Sequence, residues 1–395
     1  MNDGGSPSAA QDIAIEVERP FDAPAGLRGF AAKLLASVRE HALLIAILAA
    51  LLSATALMPV ALGRPLHFAF PIGLAFERIN TIGLWCVLLA AIAGFLLAAI
   101  RQRHGGPLRS AWTWLNAYCG ADRLWGGLIV VGLLPIFGWC FAYIQALLPL
   151  MHPIDWDPTF AAWDRWLHFG RQPWEWLQPI LGYPRVTSAF SVVYALWFFV
   201  LYGVNFWQAF SRGNPELRMQ YLLCTVLVWS VLGDVGCTLL ASGGPVYFGR
   251  LTGLPDPFAP LMQYLHSANE VSRNLSIGIQ EAMWRLYLVN GQGGEINGNI
   301  AAMPSLHVAT SCSFWLVARA TNAKLGYAFG TFLILMLIGS VHLGWHYAID
   351  GYAGILGTIA LWYGAGRLVR WPPMHRLLWG YASSADRVQQ GAEMG

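Results

Sequence analysis

The chain has 395 residues, 56% hydrophobic and only 11% charged, with a formal net charge of +3. Soluble domains carry about 25% charged residues, so this composition excludes an ordinary soluble enzyme and points to a polytopic membrane protein. The charge is too small to argue for nucleic acid, and 19 Trp and 14 Tyr suit rings that favour the lipid headgroup layer.

Residues 1–38 are polar, rich in Gly, Ser and Pro, and read as a disordered cytoplasmic tail. No cleavable leader is evident, because the first apolar run starts only after Arg39. Apolar runs then predict about eight transmembrane helices, near 42–62, 81–100, 124–149, 185–209, 218–240, 304–320, 325–345 and 350–367. The expected organisation is all-α. Two additional helices occupy 39–110, a six-helix catalytic membrane domain occupies 111–370, and a cytoplasmic tail closes the chain at 371–395. With the N-terminus inside, most Lys and Arg fall in inner segments, and Arg101, Arg103, Arg109 and Arg123 share one short loop. Both termini are therefore expected in the cytoplasm of a bacterial-type inner (plasma) membrane.

Two outer segments are longer than a connection requires. Residues 151–184 are Trp-rich with interspersed charge and predict one or two interfacial helices, with Asp155, Asp157 and Asp164 as anchors. Residues 241–303 contain "SGGPVYFGRLTGLPDPFAP", a mixed helical stretch with Glu270, Arg273 and Glu281 on a solvated face, and "NGQGGEINGN". A loop this long in a compact domain is more often functional than idle. Cys86, Cys119, Cys140, Cys224, Cys237 and Cys312 show no CxxC or CxH spacing and read as buried small hydrophobes.

Two apolar stretches near the C-terminus carry polar residues that need a reason. "GSVHLGWHYAIDG" holds His342, His346 and Asp350, and "AAMPSLHVATSCSFWL" holds His307. An ionisable group at the centre of a membrane helix costs about 2.5–3.5 kcal/mol on insertion scales, so it usually faces a cavity and acts there. By the expected topology, His307, His346 and Asp350 converge on the outer side. His346 and Asp350 are four apart and so neighbours on one helical face. A carboxylate beside an imidazole fixes its tautomer and leaves the other nitrogen as a lone pair. His307 adds a second imidazole able to give and take a proton. Pro304-Ser305 is a helix-start signature, and free N–H groups at a helix start suit a phosphate. Ser305 reads first as a cap and second as a phosphate contact. Together these features describe phosphoryl transfer through a histidine.

"MPSLH" followed by "HYAID" resembles the type-2 phosphatidic acid phosphatase superfamily, whose second motif is Pro-Ser-x-His and whose third ends His-x-x-x-Asp. Ser-Leu-His and His-Tyr-x-x-Asp look most like the branch of inositol phosphorylceramide synthases (inositolphosphotransferases) and sphingomyelin synthases. The resemblance implies a six-helix core, His346 as nucleophile, Asp350 as its orienter, His307 as general acid/base, a phosphohistidine, and neither metal nor other cofactor. Phosphatases of that superfamily also carry Lys-x6-Arg-Pro and an Arg six residues before the nucleophile. Here Ser340 stands at the latter position, and the only lysines are Lys33 and Lys324. That departure tilts the reading towards a phosphotransferase. By position, "GGPVYFGR" falls where the first motif belongs, which makes Arg250 the candidate phosphate clamp. Tyr247, Arg285, His342 and Asp234 are pocket candidates, and Asp234 is equally readable as a structural hydrogen-bonding group.

Three alternatives stay open from sequence. His342 and His346 have the spacing of two ligands on one helical face. With no HExxH glutamate and no clustered cysteine, His342 reads instead as a pocket wall. Water in place of an alcohol acceptor, such as inositol or a lipid hydroxyl, would make the protein a lipid phosphate phosphatase. A proton-coupled transporter would also use intramembrane His and Asp, but the ionisable groups gather at one face and no internal repeat is visible. The expected partners are a phospholipid or lipid phosphate donor, an alcohol or water acceptor, and the bilayer.

Overall fold

Inside a bilayer a backbone N–H finds no acceptor except a carbonyl of its own segment, so apolar runs of this length become helices. The computed structural model describes residues 26–63, 121–211, 213–291 and 300–380, and the elements among them are helical. In chain order they are α1 (Gly26–Glu40), α2 (Ala42–Ala61), α3 (Ala121–Met151), α4 (Asp157–Leu167), α5 (Pro173–Leu181) and α6 (Pro184–Phe210). They continue as α7 (Pro215–Leu239), α8 (Phe248–Thr252), α9 (Ala259–Val271), α10 (Leu275–Gly291), α11 (Leu306–Thr321), α12 (Ala323–His342), α13 (Ala348–Arg370) and α14 (Pro372–Trp379). Of these, α2, α3, α6, α7 and α12 are long and apolar enough to cross a membrane. The span expected at 81–100 lies outside the described residues. Helix α11 has only 16 residues, and its hydroxyls explain its lower hydropathy. Thr310, Ser311 and Ser313 are buried and donate to carbonyls of the preceding turn.

The chain ends differ from the expected tails. Gly26–Glu40 is helical, and α14 lies inside the stretch 371–395. Arg39, in the last turn of α1, donates to the carbonyls of Arg376 and Leu377 at the end of α14. Arg218 of α7, only 1% exposed, donates to Glu40, to the His41 ring and to the carbonyls of Gln208 and Ala209. Polar composition alone hid this latch. A polar segment folds when its charges meet orphaned helix-end carbonyls.

The interfacial segment resolves into two helices. Helix α5 opens where Gln172 N donates to Glu175, while Trp166 and Phe169 point outward at 80% and 92% exposure. Helices α11 and α12 form a tight hairpin around Asn322, whose side chain caps α12 by accepting from Lys324 N and Leu325 N. Helix α13 packs on α7 and α11, with Cys312, Phe314, Met336, Leu343 and Trp362 in one buried cluster. This up-down-up order brings the start of α11, the end of α12 and the start of α13 to one end of the bundle. Cys140, Cys224, Cys237 and Cys312 are buried and free.

Candidate active site

The site is built on the turn between α12 and α13. Ser340 O accepts from both Trp345 N (3.0 Å) and His346 N (3.1 Å), which swings the chain back after Gly344, at φ 73°. Beside this turn runs the segment 241–246. Val246 N donates to Gly344 O (2.9 Å), and Ala302 N donates to Ser242 O (2.9 Å). Gly244 sits at φ 85°, and a Cβ there would lie 2.5 Å from the Trp345 carbonyl, so only glycine lets the two backbones approach. The "GGPVYFGR" stretch therefore does lie against the histidine turn, through its backbone.

His346 Nδ1 is 2.9 Å from Ala302 O and 3.3 Å from Asp350 Oδ2. A carbonyl and a carboxylate only accept, so Nδ1 carries the proton and Nε2 is left with its lone pair. Asp350 Oδ2 also accepts from Tyr347 N (3.0 Å), which fixes the first turn of α13. Asp350 O accepts from Ser305 N (3.0 Å) and so ties the start of α13 to the start of α11. Gly354 permits this contact, since a Cβ there would meet Ser305 O at 2.9 Å.

His307 is the second residue of α11. Its ring lies between those of Tyr194 (centroids 4.6 Å, 18° apart) and Trp197 (4.1 Å, 38°) on α6. The His307 and His346 centroids are 6.3 Å apart, a separation that a phosphoryl group bonded to one ring and hydrogen-bonded to the other can span. Among the described residues, no side chain or carbonyl hydrogen-bonds to the His307 ring. Ser305 caps α11 by accepting from Val308 N at 3.5 Å. By helix geometry, the N–H groups of Leu306 and His307 then have no intrahelical acceptor.

Residues 158–364, just over half the chain and all the residues of this site, match the PAP2 superfamily. The chain belongs to the PAP2 superfamily. It is thus a membrane-integral protein of lipid phosphatase/phosphotransferase type, acting on lipid phosphates. Neither the comparison with curated proteins nor that with solved structures found a match. The superfamily match begins in α4, so α3 lies outside it.

Several expected site residues of this PAP2-superfamily protein have their side chains engaged by other partners. Arg250 is held by Glu281 through both terminal nitrogens and lies over the Trp284 ring, so its charge is spent within the outer segment. Glu281 is correspondingly not an idle solvated residue, and the guanidinium holds its carboxyl below the usual range. Arg285 is exposed on α10. The Tyr247 hydroxyl donates to Gln280 O (2.8 Å) and anchors α10. Ser340 is fully buried with its hydroxyl on Leu337 O (2.8 Å), so its carbonyl rather than its hydroxyl serves the site. His342 Nε2 meets Thr187 Oγ1 of α6 at 2.9 Å, and its ring neighbours those of Phe190 and Tyr264. Asp234 lies in a π-helical stretch of α7, Val228–Gly236, with its carboxylate beside the Gln145 side chain of α3.

Two residues read as interfacial anchors prove to be internal. Asp157 is fully buried and accepts from Gly243 N, Gly244 N and the Tyr347 hydroxyl, each at 2.8 Å. Asp164, 1% exposed, accepts from Ala348 N (2.8 Å) and Ile349 N (3.1 Å) at the start of α13. Burial pushes both carboxyls up, Asp164 to about 6, while the donated N–H groups pull the other way. His168, one turn on, links the same helix to the Tyr352 hydroxyl at 3.1 Å. Helix α4 thus grips the turn that carries His346. The two acids are seven apart, two turns along one helical face, and that spacing was the signal to be found.

Proposed function

We propose that the protein transfers a phosphoryl or phospho-alcohol headgroup from a lipid donor to an alcohol acceptor through a phosphohistidine at His346. The observation that carries this reading is the Nδ1 bond of His346 to Ala302 O and Asp350, which leaves Nε2 free opposite the His307 ring. In the first half, the Nε2 lone pair attacks phosphorus and the bond from phosphorus to the leaving oxygen breaks. Protonated His307 gives its proton to that oxygen. In the second half, neutral His307 takes the proton of the incoming hydroxyl. That oxygen attacks phosphorus, the P–N bond breaks, and His346 returns to its starting form. Asp350 stays ionised and stabilises the charged imidazole.

An alcohol acceptor, such as inositol or a lipid hydroxyl, is favoured over water by the aromatic walls around His307 and by the missing basic motifs. The distribution of Lys and Arg supports a reaction on the outer face of an inner membrane, with both termini inside. The test uses purified protein and a phospholipid labelled at phosphorus. Label should appear on His346 and be chased into a new lipid or phospho-alcohol by added alcohol, inositol first. Label that never forms sinks the phosphohistidine. Label that water alone discharges makes the protein a phosphatase.

A further inference from the structure

Buried polar side chains nearly always have partners, so those that lack one call for an explanation. Among the described residues, three such atoms belong to neighbours of the histidine pair: the Tyr194 hydroxyl, the Trp345 indole Nε1 and Asp350 Oδ1. Two of them are donors, and an indole N–H can do nothing else. The Tyr194 ring stacks on that of His307 and is parallel to that of Trp345 within 7° at 6.3 Å. Trp345 immediately precedes His346 in the chain. Trp197, the other ring against His307, is different, since its Nε1 donates to Thr310 Oγ1 at 2.9 Å.

We propose that the Tyr194 hydroxyl and the Trp345 indole N–H hold the substrate's phosphoryl oxygens, in the role that Lys and Arg side chains would otherwise fill. This rests on the functional reading above. The positions expected to supply charge are committed elsewhere, Arg250 to Glu281 and Ser340 to its own helix. Phosphoryl transfer spreads charge over the equatorial oxygens, and fixed neutral donors in a dry pocket stabilise it. Such donors avoid the cost of burying a guanidinium among aromatic rings.

Tyr194→Phe and Trp345→Phe each delete a donor and keep a ring for stacking. The measurements are kcat/KM on a labelled lipid phosphate and inhibition by orthovanadate, which imitates the phosphoryl group in flight. Each variant should lose about 10²-fold in kcat/KM, the usual effect of removing one oxyanion donor. Vanadate inhibition should weaken about tenfold or more. Wild-type kinetics in Tyr194→Phe overturns the assignment, and so does a slower enzyme whose vanadate inhibition is unchanged, since that marks a packing role. If Trp345→Phe unfolds early in a thermal scan, Tyr194→Phe, which removes a single oxygen, decides alone. A wild-type protein that neither turns over a lipid phosphate nor responds to vanadate overturns the functional reading itself.

Discussion

The starts of α11 and α13 meet at the same end of the bundle and are furnished in opposite ways. At α13 the leading N–H groups face carboxylates, Tyr347 N on Asp350 and Ala348 N and Ile349 N on Asp164. At α11 the side-chain cap is one long contact, Val308 N donating to Ser305 Oγ, and among the described residues the Tyr194 and Trp345 donors have no partner. A helix start attracts anions, so one filled by the protein's own carboxylates is closed to a phosphate while the other stays open. The difference separates a frame, which must hold still, from a surface that waits for a ligand.

Removing a ring from either helix start should have the largest effect. His346→Ala should lose at least about 10⁴-fold in turnover, together with any covalent label. His307→Ala should lose about 10²–10⁴-fold, the range for a general acid/base. Near-normal rates in either, measured on a labelled lipid phosphate, end the histidine mechanism.

Asp350→Asn probes the frame. In hydrolase triads such a change costs about 10⁴-fold because the imidazole adopts the wrong tautomer. Here Ala302 O still holds Nδ1–H, so the loss in kcat should stay near 10²-fold. A full loss would show that the carbonyl contributes little.

Asp164→Asn tests whether the α13 cap carries a charge. Asp164 titrates near 6 in the folded protein against an ordinary 3.8, so the folded state holds more protons between those values. Wild-type stability should therefore fall as pH rises from 4 to 6, by at most about 3 kcal/mol at about 1.4 kcal/mol per pKa unit. The Asn variant lacks this term, and its melting midpoint relative to wild type should climb over that window. A pH-independent difference would mean that Asp164 is not perturbed. Smallest of all, Arg250→Ala should change kcat/KM by no more than about threefold, because an exposed ion pair is worth about 0–1 kcal/mol. A large rise in KM would return Arg250 to the phosphate.

Five of the expected spans and the histidine pair were legible because their signals are local. A run of apolar residues has one solution in lipid, and the His–Asp pair meets at the spacing of four although His346 stands in the turn just before α13. Asp157 and Asp164 were hidden because their partners are backbone N–H groups far along the chain, which leave no trace in composition. Their tryptophan neighbours told only of the outward face of α4. The partner of Arg250 was hidden for a similar reason. Its position beside the site was readable, but Glu281, thirty-one residues on, decides where its charge goes.

The bond from His346 Nδ1 to the Ala302 carbonyl has an evolutionary corollary. A main-chain oxygen is encoded by no codon, so no point mutation can delete it, and the nucleophile's protonation pattern survives drift at the residue that supplies it. Lineages could then exchange the basic residues of the pocket for aromatic ones without losing the reactive nitrogen. Selection would act on the path of the chain at Ala302 rather than on its side chain.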